Sequence, residues 1–175
     1  MILGLDISTS KIGYAVIDED KHLIDHGLIK YKSNLELELR AEDFINRIDT
    51  LRRKYVNIES VFVEQPFIAF SGGKTTAVTM AKLQRFNGMC CYGLYSIFGR
   101  CPALISANQT RSSVGIKRKR GEDIKKKVIE WVAEAYPKDF IVEITRHGNP
   151  KPGTDDMADA VIVALAGLNT LQETE

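Results

Sequence analysis

Acidic residues crowd the stretch GTDDMADAVIVAL, which runs from residue 153 to residue 165. Asp156 and Asp159 would share one face of a helix, and Asp155 and Asp159 nearly would, because residues three or four apart are neighbours on a helix surface. A helix N-terminus tolerates negative charge, and either Thr154 or Asp155 could be its N-cap. Capping does not explain Asp159, since the apolar run AVIVALAGL follows it directly.

Two further acids stand in apolar runs that are typical of strands. Asp6 interrupts ILGLDIS, and Glu64 ends VFVE. Buried carboxylates are costly when unpaired and repel one another, and a bound divalent cation relieves both effects. An all-oxygen donor set suits a hard ion, so the sequence predicts Mg²⁺, with Mn²⁺ as a substitute. Two such ions roughly 4 Å apart could activate water and hold a phosphodiester for in-line attack.

The elements that would position these acids follow from hydrophobic periodicity and turn residues. Residues 1–31 predict three antiparallel strands, and the remaining chain predicts strands at 60–66 and 101–107 and helices at 34–55, 74–98, 108–114, 122–136 and 154–171. This order indicates an α/β fold in which helices flank a mixed five-stranded sheet. We expect one domain over residues 1–175.

Basic residues concentrate between residues 111 and 127, although the formal net charge of the chain is only +1. This stretch, RSSVGIKRKRGEDIKKK, holds eight basic and two acidic residues. Such a segment on a mildly acidic body indicates a polyanionic partner, nucleic acid first. A solvated loop and helix face is the alternative interpretation.

The remaining composition indicates a cytoplasmic protein without a membrane segment. The three cysteines form no CxxC pair, which favours a reducing compartment. No uninterrupted apolar run is long enough to span a bilayer, and the first residues lack the basic start of a secretory signal.

Three motifs resemble the RuvC-like Holliday junction resolvases of the ribonuclease H-like superfamily. ILGLDISTSKIGYAVID is similar to the first hairpin of that family, VFVEQPFIAFSGGKTTAVTMAKLQRFNGM to its strand-end glutamate, loop and long helix, and DDMADAVIVAL to its third motif. The resemblance runs from about residue 2 to residue 168. It implies a Mg²⁺-dependent endodeoxyribonuclease that cuts four-way junctions symmetrically and leaves 5′-phosphates. The resemblance and the two-fold symmetry of a four-way junction also imply a homodimer. We expect it in a bacterial cytoplasm or a phage-infected host, with an organelle as the alternative.

The same resemblance implies a set of metal ligands and one catalytic lysine. The ligands would be Asp6, Glu64, Asp156 and Asp159, with Asp155 as an alternative to Asp156 because the pair DD leaves the motif's first position ambiguous. Lys125 would lie near the scissile phosphate and take part in catalysis. Its neighbours Lys126 and Lys127 are the alternatives to it.

DNA contacts are implied at one aromatic and several basic residues. Phe67 matches an aromatic that the family places at the junction's crossover, where it would disturb base stacking. The alternative is that Phe67 or Phe70 only anchors its loop. The basic DNA contacts would be Lys74, Arg111, Lys117, Arg118, Lys119, Arg120 and Lys125.

Other functions fit parts of this pattern. The same nuclease chemistry could act on flaps, other branched DNA or RNA-containing hybrids, and a catalytically silent module could bind junctions without cutting them. GLDISTS also resembles the first phosphate loop of sugar kinases and actin-like ATPases. That interpretation requires a duplicated domain, for which 175 residues leave no room.

Overall fold

Five strands form one mixed sheet in the order β3-β2-β1-β4-β5. The structure, a computed structural model, describes residues 1–66, 76–119 and 121–173. The strands are β1 (Ile2–Ile7), β2 (Lys11–Ile17), β3 (Leu23–Lys30), β4 (Ser60–Glu64) and β5 (Ala103–Ile105). β1, β2 and β3 pair antiparallel, whereas β4 runs parallel to both β1 and β5. The predicted mixed five-stranded sheet is therefore confirmed.

Five helices pack on the two faces of this sheet in the order predicted from the sequence. They are α1 (Leu37–Lys54), α2 (Ala77–Phe98), α3 (Ala107–Ser113), α4 (Ile124–Ala135) and α5 (Thr154–Gln172). α1 begins three residues later than predicted, because residues 32–35 form a turn that the buried Arg40 side chain ties down by bonding to the Leu35 and Ser33 carbonyls. No helix in the described part of the chain is long and apolar enough to cross a membrane.

Strand alternation divides the core between two layers. On one face, Leu3, Leu5, Val61 and Val63 pack with Phe44 and other side chains of α1 and α2. On the opposite face, alternate residues of the same strands pack against α5, which is buried along nearly its whole length. Apolar residues on almost every side of α5 follow from this position, because α3 and α4 cover the side that faces away from the sheet.

Two glycines let α5 lie directly on the hairpin of β1 and β2. A Cβ at Gly4 would overlap the backbone of Ala160 and Ala164, and a Cβ at Gly13 would overlap the carbonyl of Asp156. The second contact matters most for the site, because it fixes the first turn of α5 against β2. The end of the sheet where β1 stops is thereby brought to the N-terminus of α5.

Candidate active site

Asp6 and Glu64 lie side by side at the carboxyl ends of two parallel strands. The register of β1 and β4 pairs Leu5 with Val63, so these two acids are the next residues along each strand. Both lie on the sheet face that carries Ile2 and Phe62 and packs against α5. The alternation that buries Leu5 and Val63 on one face therefore directs both carboxylates to the other face, toward α5.

The first turns of α5 supply the remaining acids. Asp156 is buried, and Asp155 and Asp159 are partly exposed. The helix N-cap is Gly153, which has a φ of 101° and no side-chain cap, so the alternative of a Thr154 or Asp155 cap is wrong. The Thr154 hydroxyl instead donates to the Lys151 carbonyl.

Burial raises the pKa values of three acids that the strands and α5 bring together, and neighbouring carboxylates raise two of them further. Burial, followed by the charges of Glu64, Asp159 and Asp156, raises the pKa of Asp6 well above its ordinary value. Burial raises the pKa of Glu64, against the opposing charges of Arg111 and Lys125. Burial and then Glu64 raise the pKa of Asp159 to about 7. These carboxylates are thus close enough to destabilise one another's ionised forms.

Three basic side chains surround the acids. Lys125 Nζ lies 2.6 Å from Asp155 Oδ2, and Lys11 Nζ lies 2.6 Å from Asp156 Oδ2. Arg111 is held by a hydrogen bond from its Nε to the Ala107 carbonyl. A cavity of about 170 Å³ opens between these elements and is lined by Glu64, Ala107, Arg111, Ile124, Lys125, Val128 and Asp159. Both signs of charge therefore face one small space.

The two lysines give the adjacent aspartates different environments. Burial alone would raise the pKa of Asp155, but the hydrogen bond and charge of Lys125, together with the charge of Lys11 and a backbone hydrogen bond, lower it below its ordinary value. Asp156, in contrast, is among the charges that raise the pKa of Asp6. Asp156 therefore groups with the buried carboxylates, and Asp155 groups with Lys125 at the rim.

The acid set fits a divalent cation by its chemistry. Asp6 and Asp159 are carboxyls whose ionised forms burial and like charges disfavour, and a bound divalent cation would offset both effects. Their donors are all oxygen, as Mg²⁺ and Mn²⁺ prefer. The residues able to hold such an ion are Asp6, Glu64, Asp156 and Asp159.

These carboxylates are spaced more widely here than the donors to a single ion. Among the described residues, the group of three whose ligand atoms all lie within 4.8 Å of one another is a different one, Asp18, Asp20 and His22. That group lies in the turn between β2 and β3, and His22 Nδ1 is already hydrogen-bonded to Asp18. One of the four carboxylates, that of Asp156, is paired with Lys11 instead.

Of the basic residues predicted from the sequence, Arg111 and Lys125 line the cavity of this site. Lys117, Arg118 and Lys119 are exposed in the segment between α3 and α4. Lys127 does not face outward with them, because its Nζ donates to Glu122 and to the Lys117 carbonyl. Phe67, Phe70, Lys74 and Arg120 lie outside the described residues, so their predicted roles stay predictions.

Lys11 is the functional-site residue that the sequence analysis missed. It begins β2 on the same strand face as Gly13, and this face packs against α5. A single lysine beside a turn carries no pattern by itself. Only the contact of β2 with the first turn of α5 brings its ammonium to Asp156.

Curated proteins of one kind match almost the whole chain, whereas no protein-family model matches it. The crossover junction endodeoxyribonuclease RuvC of Fusobacterium nucleatum is 27% identical over 173 residues, covering 97% of this chain and 80% of that protein. RuvC of Prochlorococcus marinus is 29% identical over 171 residues, covering 95% of this chain and 97% of that protein.

Solved structures agree with these sequence matches. The structure of Thermus thermophilus RuvC superposes with a TM-score of 0.69 at 15% identity, over 99% of this chain and 96% of that one. The complex of T. thermophilus RuvC with a Holliday junction substrate gives a TM-score of 0.68 at 14% identity, over 98% and 94% of the two chains. The chain is thus similar in sequence to RuvC Holliday junction resolvases over nearly its whole length, and it shares their ribonuclease H-like fold.

Proposed function

We propose that the chain is a metal-dependent endodeoxyribonuclease that resolves four-way DNA junctions by symmetric phosphodiester hydrolysis. The observation that carries this proposal is the meeting of Asp6, Glu64 and Asp159 at one edge of the sheet, where burial raises all three pKa values and neighbouring carboxylates raise those of Asp6 and Asp159 further. The matched relatives, named crossover junction endodeoxyribonucleases, support the same reaction.

In this proposal Asp6, Glu64, Asp156 and Asp159 bind Mg²⁺, as two ions per site, and Mn²⁺ substitutes for it. The ions would supply an activated water and stabilise the charge on the leaving oxygen. The cleavage would leave 5′-phosphate ends. The carboxylates hold the ions, and the protein forms no covalent bond to DNA. Both acidic strands end at this edge, so the scissile phosphate would be presented there.

Lys125 and Arg111 bind and neutralise the scissile phosphate. Both line the cavity next to Glu64 and Asp159, where a phosphate oxygen could reach them. Lys125 is the catalytic lysine in preference to Lys126, which pairs with Glu130 along α4, and to Lys127, which pairs with Glu122. Asp155 positions Lys125 through its 2.6 Å ion pair, so Asp156 is the ligand of the two adjacent aspartates.

The exposed residues Lys117, Arg118 and Lys119 would contact the DNA backbone. Arg120 and Lys74 are proposed DNA contacts from the sequence alone. Such contacts supply affinity without reading sequence. Phe67, three residues after the ligand Glu64, acts at the crossover of the junction. These residues would select branched DNA by its shape and charge.

A homodimer would give the symmetric junction two symmetric sites. The exposed face of α2 supports this arrangement, since Tyr92 is 72% exposed and Val78 and Tyr95 are exposed as well. A cavity of about 760 Å³ lies between α1 and α2, beside Leu39, Met89 and Tyr92. An apolar helix face of this kind is suited to burial against a second copy.

A panel of labelled substrates tests the proposal. With Mg²⁺, the protein should nick a synthetic four-way junction symmetrically and cut flaps, forks and RNA–DNA hybrids at least tenfold more slowly. Asp6→Asn or Glu64→Gln should abolish cutting and keep junction binding, because neither residue is needed to hold DNA. Equal cutting of flaps would favour the broader nuclease, and binding without cutting in either metal would favour the silent module.

A further inference from the structure

Lys11 occupies a fixed place next to the proposed metal ligands. Its backbone is held by a tight turn, in which Lys11 N donates to Ser8 Oγ at 3.1 Å and the Lys11 carbonyl accepts from Ser8 N and from Ser8 Oγ. Arg40 steadies the same turn by donating to the Thr9 carbonyl at 2.6 Å. The lysine stem therefore begins from a rigid base.

The side chain of Lys11 points to α5 because of its strand face. Lys11 and Gly13 lie two residues apart in β2, and the backbone of Asp156 lies directly over Gly13. Lys11 Nζ reaches Asp156 Oδ2 at 2.6 Å, in a pair whose carboxylate side chain is only 10% exposed and whose lysine side chain is 32% exposed. This partly buried pair joins positions 145 residues apart, unlike the exposed pairs within single helices.

The charges around the site explain the contact. The carboxylates of Asp6, Glu64, Asp156 and Asp159 need positive charge, and Lys125 is already engaged by Asp155. The ammonium of Lys11 thus neutralises one oxygen of a proposed metal ligand. A divalent cation that binds Asp156 through this oxygen has to displace the ammonium first.

We propose that Lys11 is an internal competitor for the metal site, withholding Asp156 from a divalent cation until a DNA phosphate draws the ammonium away. This inference rests on the proposed nuclease function. The lysine is one-third exposed, and its four-carbon stem lets the ammonium move toward the rim while the backbone stays in place. A phosphate bound beside Asp156 would be its new partner, so DNA and metal would each strengthen the binding of the other.

Calorimetric titration of the DNA-free protein with Mn²⁺ tests the competition. Lys11→Met should bind Mn²⁺ about tenfold more tightly than the wild type, because it removes both a competing cation and a repulsive charge. Lys54→Met is the matched control, since Lys54 pairs with Asp25 at 2.9 Å on the α1 face of the sheet. It removes the same charge and should change the affinity by less than about twofold.

Two further variants separate competition from a merely structural role. Lys11→Arg keeps the charge and should bind Mn²⁺ within about threefold of the wild type. In an Asp156→Asn background, Lys11→Met should no longer tighten binding, because the two residues act through one contact. If Lys11→Met folds poorly, Lys11→Gln takes its place in each comparison.

DNA supplies the second measurement. A non-cleavable phosphorothioate junction should tighten Mn²⁺ binding in the wild type by about tenfold and in Lys11→Met by less than about twofold. Unchanged or weaker Mn²⁺ binding by DNA-free Lys11→Met and Lys11→Gln would overturn the inference. If neither wild type nor variants bind Mn²⁺, the proposed function fails with it, whereas binding that Lys11 does not affect leaves the nuclease proposal intact.

Discussion

The two adjacent aspartates at the start of α5 make separate contacts, although they are chemically identical. Asp155 pairs with Lys125, and Asp156 is buried beside the charges that act on Asp6. We expect Asp155→Asn to lower junction cleavage by about tenfold with little change in Mn²⁺ affinity, because it frees Lys125 without removing a ligand. Asp156→Asn should lower both cleavage and Mn²⁺ affinity by at least about a hundredfold. Cleavage rates and metal titrations for both variants measure this difference.

Rescue experiments distinguish the two roles. Asp155→Glu keeps a carboxylate within reach of Lys125 and should recover most of the lost cleavage. If Asp155→Asn weakens metal binding as strongly as Asp156→Asn, then Asp155 is a ligand and the assignment of the pair is wrong.

The raised pKa values predict how stability without metal depends on pH. Burial, and then the charge of Glu64, raises the pKa of Asp159 to about 7, and burial together with neighbouring carboxylates also raises the pKa of Asp6. A carboxyl whose pKa is raised on folding stabilises the native state below its unfolded pKa, near 4, and this contribution is lost as pH rises through the folded value. In EDTA, the melting temperature should therefore fall between pH 5 and pH 8.

Two additions to that measurement attribute the fall to the site. Mg²⁺ should remove most of it, because the cation stabilises the ionised carboxylates. Asp159→Asn should flatten the curve in EDTA, since the asparagine does not titrate. If the melting temperature of Asp159→Asn falls by the same amount, the pH dependence belongs to other groups. One such group is the exposed His22, because its hydrogen bond with Asp18 raises its pKa.

At the scale of secondary structure, the site depends on the close approach of α5 to β2. A Cβ at position 13 would overlap the carbonyl of Asp156, so Gly13→Ala must push the first turn of α5 away from the sheet. We expect a loss of roughly 2–3 kcal/mol in the free energy of unfolding, together with loss of metal binding. Gly88→Ala is the matched control, because a Cβ there meets nothing within 4 Å and should be neutral or mildly stabilising in helix α2. Urea denaturation of both variants gives the comparison, and equal stabilities would contradict the close approach.

The packing of α5 on β2 also separates the parts of the site that could be predicted from the sequence from those that could not. Asp6 and Glu64 each break an apolar strand pattern, so local alternation reveals them and their shared face. The fold order follows from periodicity in the same way. The contact of Lys11 with Asp156 and that of Lys125 with Asp155 depend instead on how elements far apart in the chain pack together. Neither pairing has a local signal, which is why Lys11 was missed and Asp155 stayed ambiguous.

For the molecule as a whole, the proposed symmetric cutting would depend on a second copy, and the face of α2 is where we propose that copy binds. Tyr92 is exposed at the edge of the cavity between α1 and α2, away from the acidic site, which lies on the opposite face of the sheet. A charge placed there would be buried unpaired at the interface. Tyr92→Glu should therefore sediment as a monomer in sedimentation velocity. Its melting temperature should equal that of the wild type diluted until the wild type is also a monomer.

The consequence for the reaction follows from the symmetry of the substrate. A monomer should still bind Mn²⁺, because all the proposed ligands belong to one chain. On a junction carried by a supercoiled plasmid, however, it should release nicked circles rather than linear product, since the two strands are no longer cut within one complex. Lys82→Glu, a charge reversal at an exposed position of α2, is a control for added negative charge on the same helix. Paired cleavage by a Tyr92→Glu protein that sediments as a monomer would show that the two cuts do not need a dimer. A Tyr92→Glu protein that still sediments as a dimer would move the interface away from this face of α2.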